Sequence, residues 1–214
     1  MKCDISKYFE NIDHEILLEL LRKQLSQLSE VRLPEVELRK LLDLCEKITR
    51  SVPSGVPIGN LTSQSFANTY LNELDQYVKR ELKERQYIRY MDDFLILGTD
   101  MKRLYEDRER IRKFLSEKLK LTLHPQKSTV FPVIPHGIDF LGYRVFVHHI
   151  ELRRSTVRRR KQKLKKLLAE IRSQTSGSST SEDVMKFIRA WDGYAKHAQS
   201  WRTVRGMLKE TESL

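Results

Sequence analysis

Two short runs of β-branched and aromatic residues, Tyr87-Ile88-Arg89-Tyr90-Met91 and Phe94-Leu95-Ile96-Leu97, are separated only by Asp92-Asp93. That arrangement predicts a β-hairpin with two adjacent carboxylates at its tip. Neighbouring anions repel, and their burial beside an apolar sheet is unfavourable unless cations neutralise them. The pair therefore predicts either a divalent-metal site or a solvated turn. In isolation, Asp-Asp between two strands is ordinary turn chemistry.

A third carboxylate gives the metal reading its weight. Met1-Lys2-Cys3-Asp4-Ile5-Ser6-Lys7-Tyr8-Phe9 is a short apolar stretch that gives way at Asp13 to Ile16, Leu17, Leu20, Leu21 and Leu25. The second spacing is helical, and Asp13 suits its N-cap. Asp4 is thus expected at the end of a strand, just before a turn into a helix. Pairing of that strand with the hairpin would bring Asp4, Asp92 and Asp93 together. Such a set can hold two Mg²⁺ ions for an in-line phosphoryl displacement.

The remaining pattern is α+β. Helices are expected near 13–28 and 35–49, the second opened by Pro34, and a Pro/Gly/Ser loop comes next over 51–57. Residues 61–85 carry Phe66, Tyr70, Leu74, Tyr77, Val78 and Leu82 at helical spacing, a stripe read as core packing. Beyond the hairpin come a helix near 102–119 and short strands through 147. Cys3 and Cys45 are too few for a disulfide framework or a zinc site and are read as reduced packing residues. No apolar run of membrane-spanning length and no charged leader with an apolar core is present, so a soluble, cytoplasmic protein without a membrane partner is expected.

Charge points to a polyanionic partner. Forty Lys plus Arg against 29 Asp plus Glu leave a net charge of +11. The excess is concentrated: residues 153–172 hold ten basic residues (Arg153, Arg154, Arg158, Arg159, Arg160, Lys161, Lys163, Lys165, Lys166, Arg172) and one acid, Glu170. Val157, Leu164, Leu167, Leu168 and Ile171 fall on one helical stripe, which leaves a basic outer face suited to phosphates. An anionic membrane surface or a plain solvated face are the competing readings. A polar connection over 174–181 separates this helix from another, striped with Val184, Phe187, Ile188, Trp191, Ala195 and Ala198, for which Thr180 and Asp183 would form a capping pair.

In order along the chain, Asp4-Ile5-Ser6-Lys7-Tyr8-Phe9-Glu10-Asn11-Ile12-Asp13-His14, Ile58-Gly59-Asn60-Leu61-Thr62-Ser63-Gln64, Tyr90-Met91-Asp92-Asp93, Leu123-His124-Pro125-Gln126-Lys127-Ser128 and Phe140-Leu141-Gly142-Tyr143 resemble the motifs of reverse transcriptases. The resemblance implies a right-hand polymerase palm over 1–147, an antiparallel sheet with helices on one face, with a basic helical thumb over 148–214. Where most of that family carries Gln before the Gly and Pro after the Ser, this chain has Ile58 and Gln64, a pattern similar to that of diversity-generating retroelement enzymes. Group II intron and retron relatives share parts of the neighbouring Phe66–Asp75 segment.

The resemblance also implies roles. Asp4 and Asp92, the Ile5 carbonyl and Asp93 would hold two Mg²⁺ ions, with Mn²⁺ as an alternative, and Lys127 would protonate the leaving pyrophosphate. Phe9 would exclude a ribose 2′-hydroxyl; its competing reading is a core aromatic. Ile58, Gly59, Ser63 and Gln64 would line the nucleotide, and Ile58, unable to hydrogen-bond through its side chain, would weaken checking of the base pair. Its competing reading is packing beneath the loop. Phe140, Leu141, Gly142 and Tyr143 would form the primer grip, and Arg153, Arg154, Arg158, Arg159, Arg160 and Lys163 would meet the nucleic-acid backbone.

The implied partners are an RNA template, a DNA primer, dNTPs and a basic accessory protein of the retroelement. Only Met1, Lys2 and Cys3 precede the first catalytic Asp, where the family carries a fingers region, so a fragment or truncated product with unpaired sheet edges and weak activity alone is expected. Two function classes remain: an RNA-directed DNA polymerase, or a non-catalytic, maturase-like RNA-binding module on a palm scaffold. Clustered carboxylates favour the enzyme.

Overall fold

A computed structural model of the chain describes residues 1–29, 34–172 and 181–198. It divides into two units, Met1–Phe131 and Pro132–Leu214.

In the first unit, β1 (Lys2–Asp4) and β2 (Tyr87–Tyr90) flank β3 (Asp93–Ile96) in an antiparallel sheet of order β1-β3-β2. The register sets Asp4 and Tyr90 on either side of Asp93. The expected unpaired edge at β1 is covered, because the later chain runs along it and bridges Lys2 to Thr129 and Ile5 to Leu123. At the other edge, β2 pairs with no strand but β3 among the described residues.

Around the sheet lie α1 (His14–Ser29), α2 (Glu35–Thr49), α3 (Leu61–Gln76) and α4 (Met101–Leu119). Asp13 caps α1 as expected, its Oδ1 accepting from the amides of Glu15 and Ile16 at 3.1 Å. Asp100 caps α4 in the same way. The helix expected over 61–85 ends at Gln76 and widens into a π-helical turn, Tyr77–Glu81. Tyr77 stacks on Phe114 at 4.2 Å while its neighbour Val78 is fully buried, and the wider turn lets adjacent residues both face the core. Phe66, Tyr70, Leu74 and Leu82 join that core, along with Cys3 and Cys45 as free thiols. Burial pushes the Cys3 thiol up to about 12.

The second unit carries β4 (Ile138–Phe140), β5 (Tyr143–Val145) and β6 (Ile150–Leu152) in sequential antiparallel order, then α5 (Arg154–Arg172) and α6 (Ser181–Ala195). Leu164 and Leu168 of α5 pack with Val184, Phe187, Trp191 and Ala195 of α6, the two stripes read from the sequence. The connection expected over 174–181 lies almost wholly outside the described residues, as does Thr180 of the expected capping pair. The boundary expected at 147 and the division after Phe131 differ because the β4–β5 hairpin is bound to β6 and to α6. β5 pairs with β6, and Tyr143 stacks on Tyr194 of α6 at 4.5 Å. Among the described residues no helix is long and apolar enough to cross a membrane.

Candidate active site

The first and third motifs meet through backbone pairing. β1 ends at Asp4, which lies opposite Asp93, and the next amide, Ile5 N, donates to Asp92 O at 3.2 Å. The segment along the outer edge of β1 brings in the fourth motif: His124 N donates to Asp4 O at 2.7 Å, and Lys127 Nζ lies 3.2 Å from Asp4 Oδ2. Sequence positions about 90 and 120 residues apart thus converge because antiparallel pairing aligns strand ends.

Electrostatics mark the tip as a place of unbalanced negative charge. Burial first, then repulsion from Asp4 and Asp93, push the Asp92 carboxyl above the usual carboxylate range, against its own backbone amide and Lys127. Asp93 Oδ2 is paired with Lys2 Nζ at 3.3 Å, while its Oδ1 is buried without a hydrogen-bond partner. Among the described residues no three His, Cys, Asp or Glu side chains form a ready metal cage, and Lys2 and Lys127 pair with two of the carboxylates. The donor set still fits Mg²⁺: hard carboxylate oxygens, one of them orphaned, suit an ion held by one or two carboxylates together with substrate phosphates.

The turn itself is held from below. Met91 has φ 54, a left-handed conformation that Asp92 does not share, which is the sign pattern of a type II′ hairpin turn. Arg89 Nη1 donates to Met91 O at 3.2 Å, and the same guanidinium grips Asp75 of α3 through two bonds of 2.8 and 2.6 Å. Tyr87 donates to Asp75 Oδ1 at 2.6 Å. None of this was legible locally. Lys2 was: at period two from Asp4 it must share that residue's face of the sheet.

The expected nucleotide-lining residues are arranged unequally. Phe9, in a 3-10 turn at Tyr8–Glu10, is half-buried with its ring edge-on to Tyr8, and its carbonyl accepts from Val56 N at 2.9 Å. Ile58 is 79 % exposed, so it does not pack beneath the loop. Gly59 has φ +97 and open space where a Cβ would stand. Ser63 is fully buried with its hydroxyl unpartnered, whereas Gln64 is exposed. Gly55, not singled out from sequence, closes the loop onto the Tyr8–Glu10 turn: a Cβ there would lie 2.1 Å from Phe9 O.

In the second unit, Phe140 pairs with Tyr143, and Leu141 and Gly142 make the turn with φ 49 and 86. Tyr194 donates to Leu141 O at 2.8 Å, and Tyr143 donates to the Tyr194 carbonyl at 2.8 Å. This latched turn and α5 line an open pocket of about 440 Å³ whose cations are Arg159, Arg160 and Lys163. Arg160 and Lys163 lie over the Phe187 ring, each 5.6 Å from its centroid. Arg154, Arg158 and Arg159 are exposed. Arg153 is committed to Asp139 at 3.1 Å, an ion pair within the unit.

Comparison with known proteins finds relatives by sequence. The chain is 28 % identical to Protein YkfC of Escherichia coli K12, over 66 % of this chain and 45 % of that protein. It is 22 % identical to the Putative COX1/OXI3 intron 2 protein of Saccharomyces cerevisiae, over 69 % of this chain and 24 % of that protein. The chain therefore spans less than half the length of these curated relatives. The family profile described as reverse transcriptase (RNA-dependent DNA polymerase) matches residues 1–145, which include Asp4, Asp92, Asp93 and Lys127, and the chain belongs to that family.

Proposed function

We propose that this chain provides the palm and thumb of an RNA-directed DNA polymerase of the diversity-generating retroelement kind, which copies an RNA template from a DNA primer with dNTPs. The observation that carries the reading is the junction of β1 with the hairpin, where Asp4 faces Asp93 and Ile5 N bonds Asp92 O. Asp4 and Asp92, with the Ile5 carbonyl and Asp93 beside them, would hold two Mg²⁺ ions, whose charge when bound would favour ionisation of the primer 3′-hydroxyl and offset charge on the triphosphate.

The protein's own residues do the rest. Lys127, poised beside Asp4, supplies the proton to the departing pyrophosphate. Phe9, whose carbonyl accepts from Val56 N, would be the residue that excludes a 2′-hydroxyl. Gly59 admits a close backbone approach, and exposed Ile58 offers the nascent pair no side-chain hydrogen bond, which supports permissive copying and the subgroup. The turn at Leu141-Gly142 and the cations Arg154, Arg158, Arg159, Arg160 and Lys163 receive primer and backbone phosphates. A basic accessory protein of the element completes the set of partners.

The intron relative favours a second reading, a maturase-like module that holds folded RNA on the same basic helix, α5, without catalysis. RNA-templated primer extension by a protein that carries this chain with a fingers region decides between them. Asp4→Asn or Asp92→Asn is expected to remove nearly all Mg²⁺-dependent incorporation. RNA binding with no incorporation by the unaltered protein overturns the polymerase reading and leaves the module.

A further inference from the structure

Asp92 lies in a turn that its own sequence does not favour. A two-residue hairpin turn with positive φ at its first central position is ordinarily made with Gly, yet this chain has Met91 there at φ 54. A side chain persists in such a conformation only where the surroundings impose it. Here both carbonyls of the turn are taken: Met91 O by Arg89 Nη1 and Asp92 O by Ile5 N, each at 3.2 Å.

Arg89 is itself fixed. Its side chain is 10 % exposed, its Nε and Nη2 grip both oxygens of Asp75, and Nη1 also donates to Asn68 Oδ1 at 3.2 Å. Asn68 and Asp75 both belong to α3, two turns apart, so the guanidinium is referenced to a rigid helix. Tyr87, two residues earlier on β2, binds the same carboxylate. An ion pair serving stability alone needs no donor left over for a turn carbonyl. The guanidinium fork spans both tasks at once, which an ammonium does not.

We infer that Asp75 and Arg89 are positioning residues: they hold the Met91-Asp92 turn in its strained form and thereby aim the Asp92 carboxylate. The inference rests on the catalytic reading of Asp92, but its conformational half stands without it. Arg89→Met frees the turn, and Arg89→Lys keeps the charge opposite Asp75 but loses the fork. Met91→Gly removes the strain that the clamp opposes.

The test combines urea unfolding, methionine-methyl NMR of the unliganded protein and primer extension by the fingers-containing form. Arg89→Lys is expected to keep most of the stability that Arg89→Met loses, yet both should shift or broaden the Met91 methyl signal. Both should also lower turnover, by on the order of a hundredfold for Arg89→Met, the scale of an ångström-sized misplacement. In the Met91→Gly background, the turnover loss from Arg89→Met should shrink by about fivefold or more, the signature of coupled residues. An unmoved Met91 signal in Arg89→Met overturns the clamp. So does a turnover loss that is the same with Gly at position 91, or one that merely tracks stability in both Arg89 variants. Absence of turnover in the unaltered protein would count against the polymerase reading, whereas the Met91 signal tests the clamp in either case.

Discussion

Replacing Gly55 by Ala is expected to cost far more than replacing Gly59 by Ala, although both glycines lie in one loop at positive φ, +71 and +97. An L side chain in that region costs about 1–2 kcal/mol. At Gly59 nothing stands within 4 Å of the added Cβ, so that strain is the whole penalty. At Gly55 the Cβ would lie 2.1 Å from Phe9 O and 2.7 and 2.8 Å from Glu10 Cα and C, all backbone atoms. The loop must then back away by about an ångström, an overpacking that costs about 1–3 kcal/mol. Its ties to the turn beneath also stretch: Val56 N to Phe9 O at 2.9 Å, Ser54 Oγ to Glu10 O at 2.9 Å and His14 Nε2 to Gly55 O at 2.7 Å. Gly55→Ala should therefore lose about 2–5 kcal/mol against about 1–2 for Gly59→Ala. At about 2–4 °C per kcal/mol for a chain of this size, the melting temperatures should fall by roughly 10 °C and roughly 4 °C. Circular dichroism melts and urea midpoints measure the difference, and limited proteolysis should cut the loop sooner in Gly55→Ala. Equal losses within about 1 kcal/mol would refute the claim that this loop is seated on the Phe9 turn.

Other expectations rest on separate contacts. Tyr70→Phe removes a buried hydroxyl that donates to Leu119 O at 2.8 Å and accepts from Asp13 N at 3.3 Å, and it should cost about 1–3 kcal/mol in urea unfolding. Burial first, then Glu84, raise the Asp107 carboxyl above the usual range despite Arg110 and Arg103. Its contribution to stability is therefore full below about pH 4 and lost as pH rises through the raised value, so Asp107→Asn should flatten that decline in urea midpoints. Joint neutralisation of Arg158, Arg159 and Lys163 should weaken RNA binding and flatten its log-log salt dependence, by about 0.7–0.9 per lost phosphate contact. An unchanged slope would make that face of α5 an idle solvated surface.

The sequence by itself was enough for most of the elements and for the family. Periodicity located α1, α2, α4 and the paired stripes of α5 and α6, because a buried helical face must repeat every three to four residues. β-branched and aromatic runs on either side of a polar pair located the hairpin, although its two-residue turn is Met91-Asp92 and Asp93 opens β3, and Asp13 announced its own cap. Tertiary structure decided what depends on residues far apart in the chain. Stacking of Tyr77 on Phe114 turned the end of one long helix into a π-turn. The β5–β6 ladder and the Tyr143–Tyr194 contact joined the β4–β5 hairpin to the helices after it. Around the carboxylates, strand register placed Lys2 on Asp93, the chain beyond α4 carried Lys127 to Asp4, and α3 brought Asp75 under Arg89. Local sequence sets which groups a strand end carries; only the packing of distant segments sets which charges face them, because Coulomb energies depend on separation in space and not along the chain.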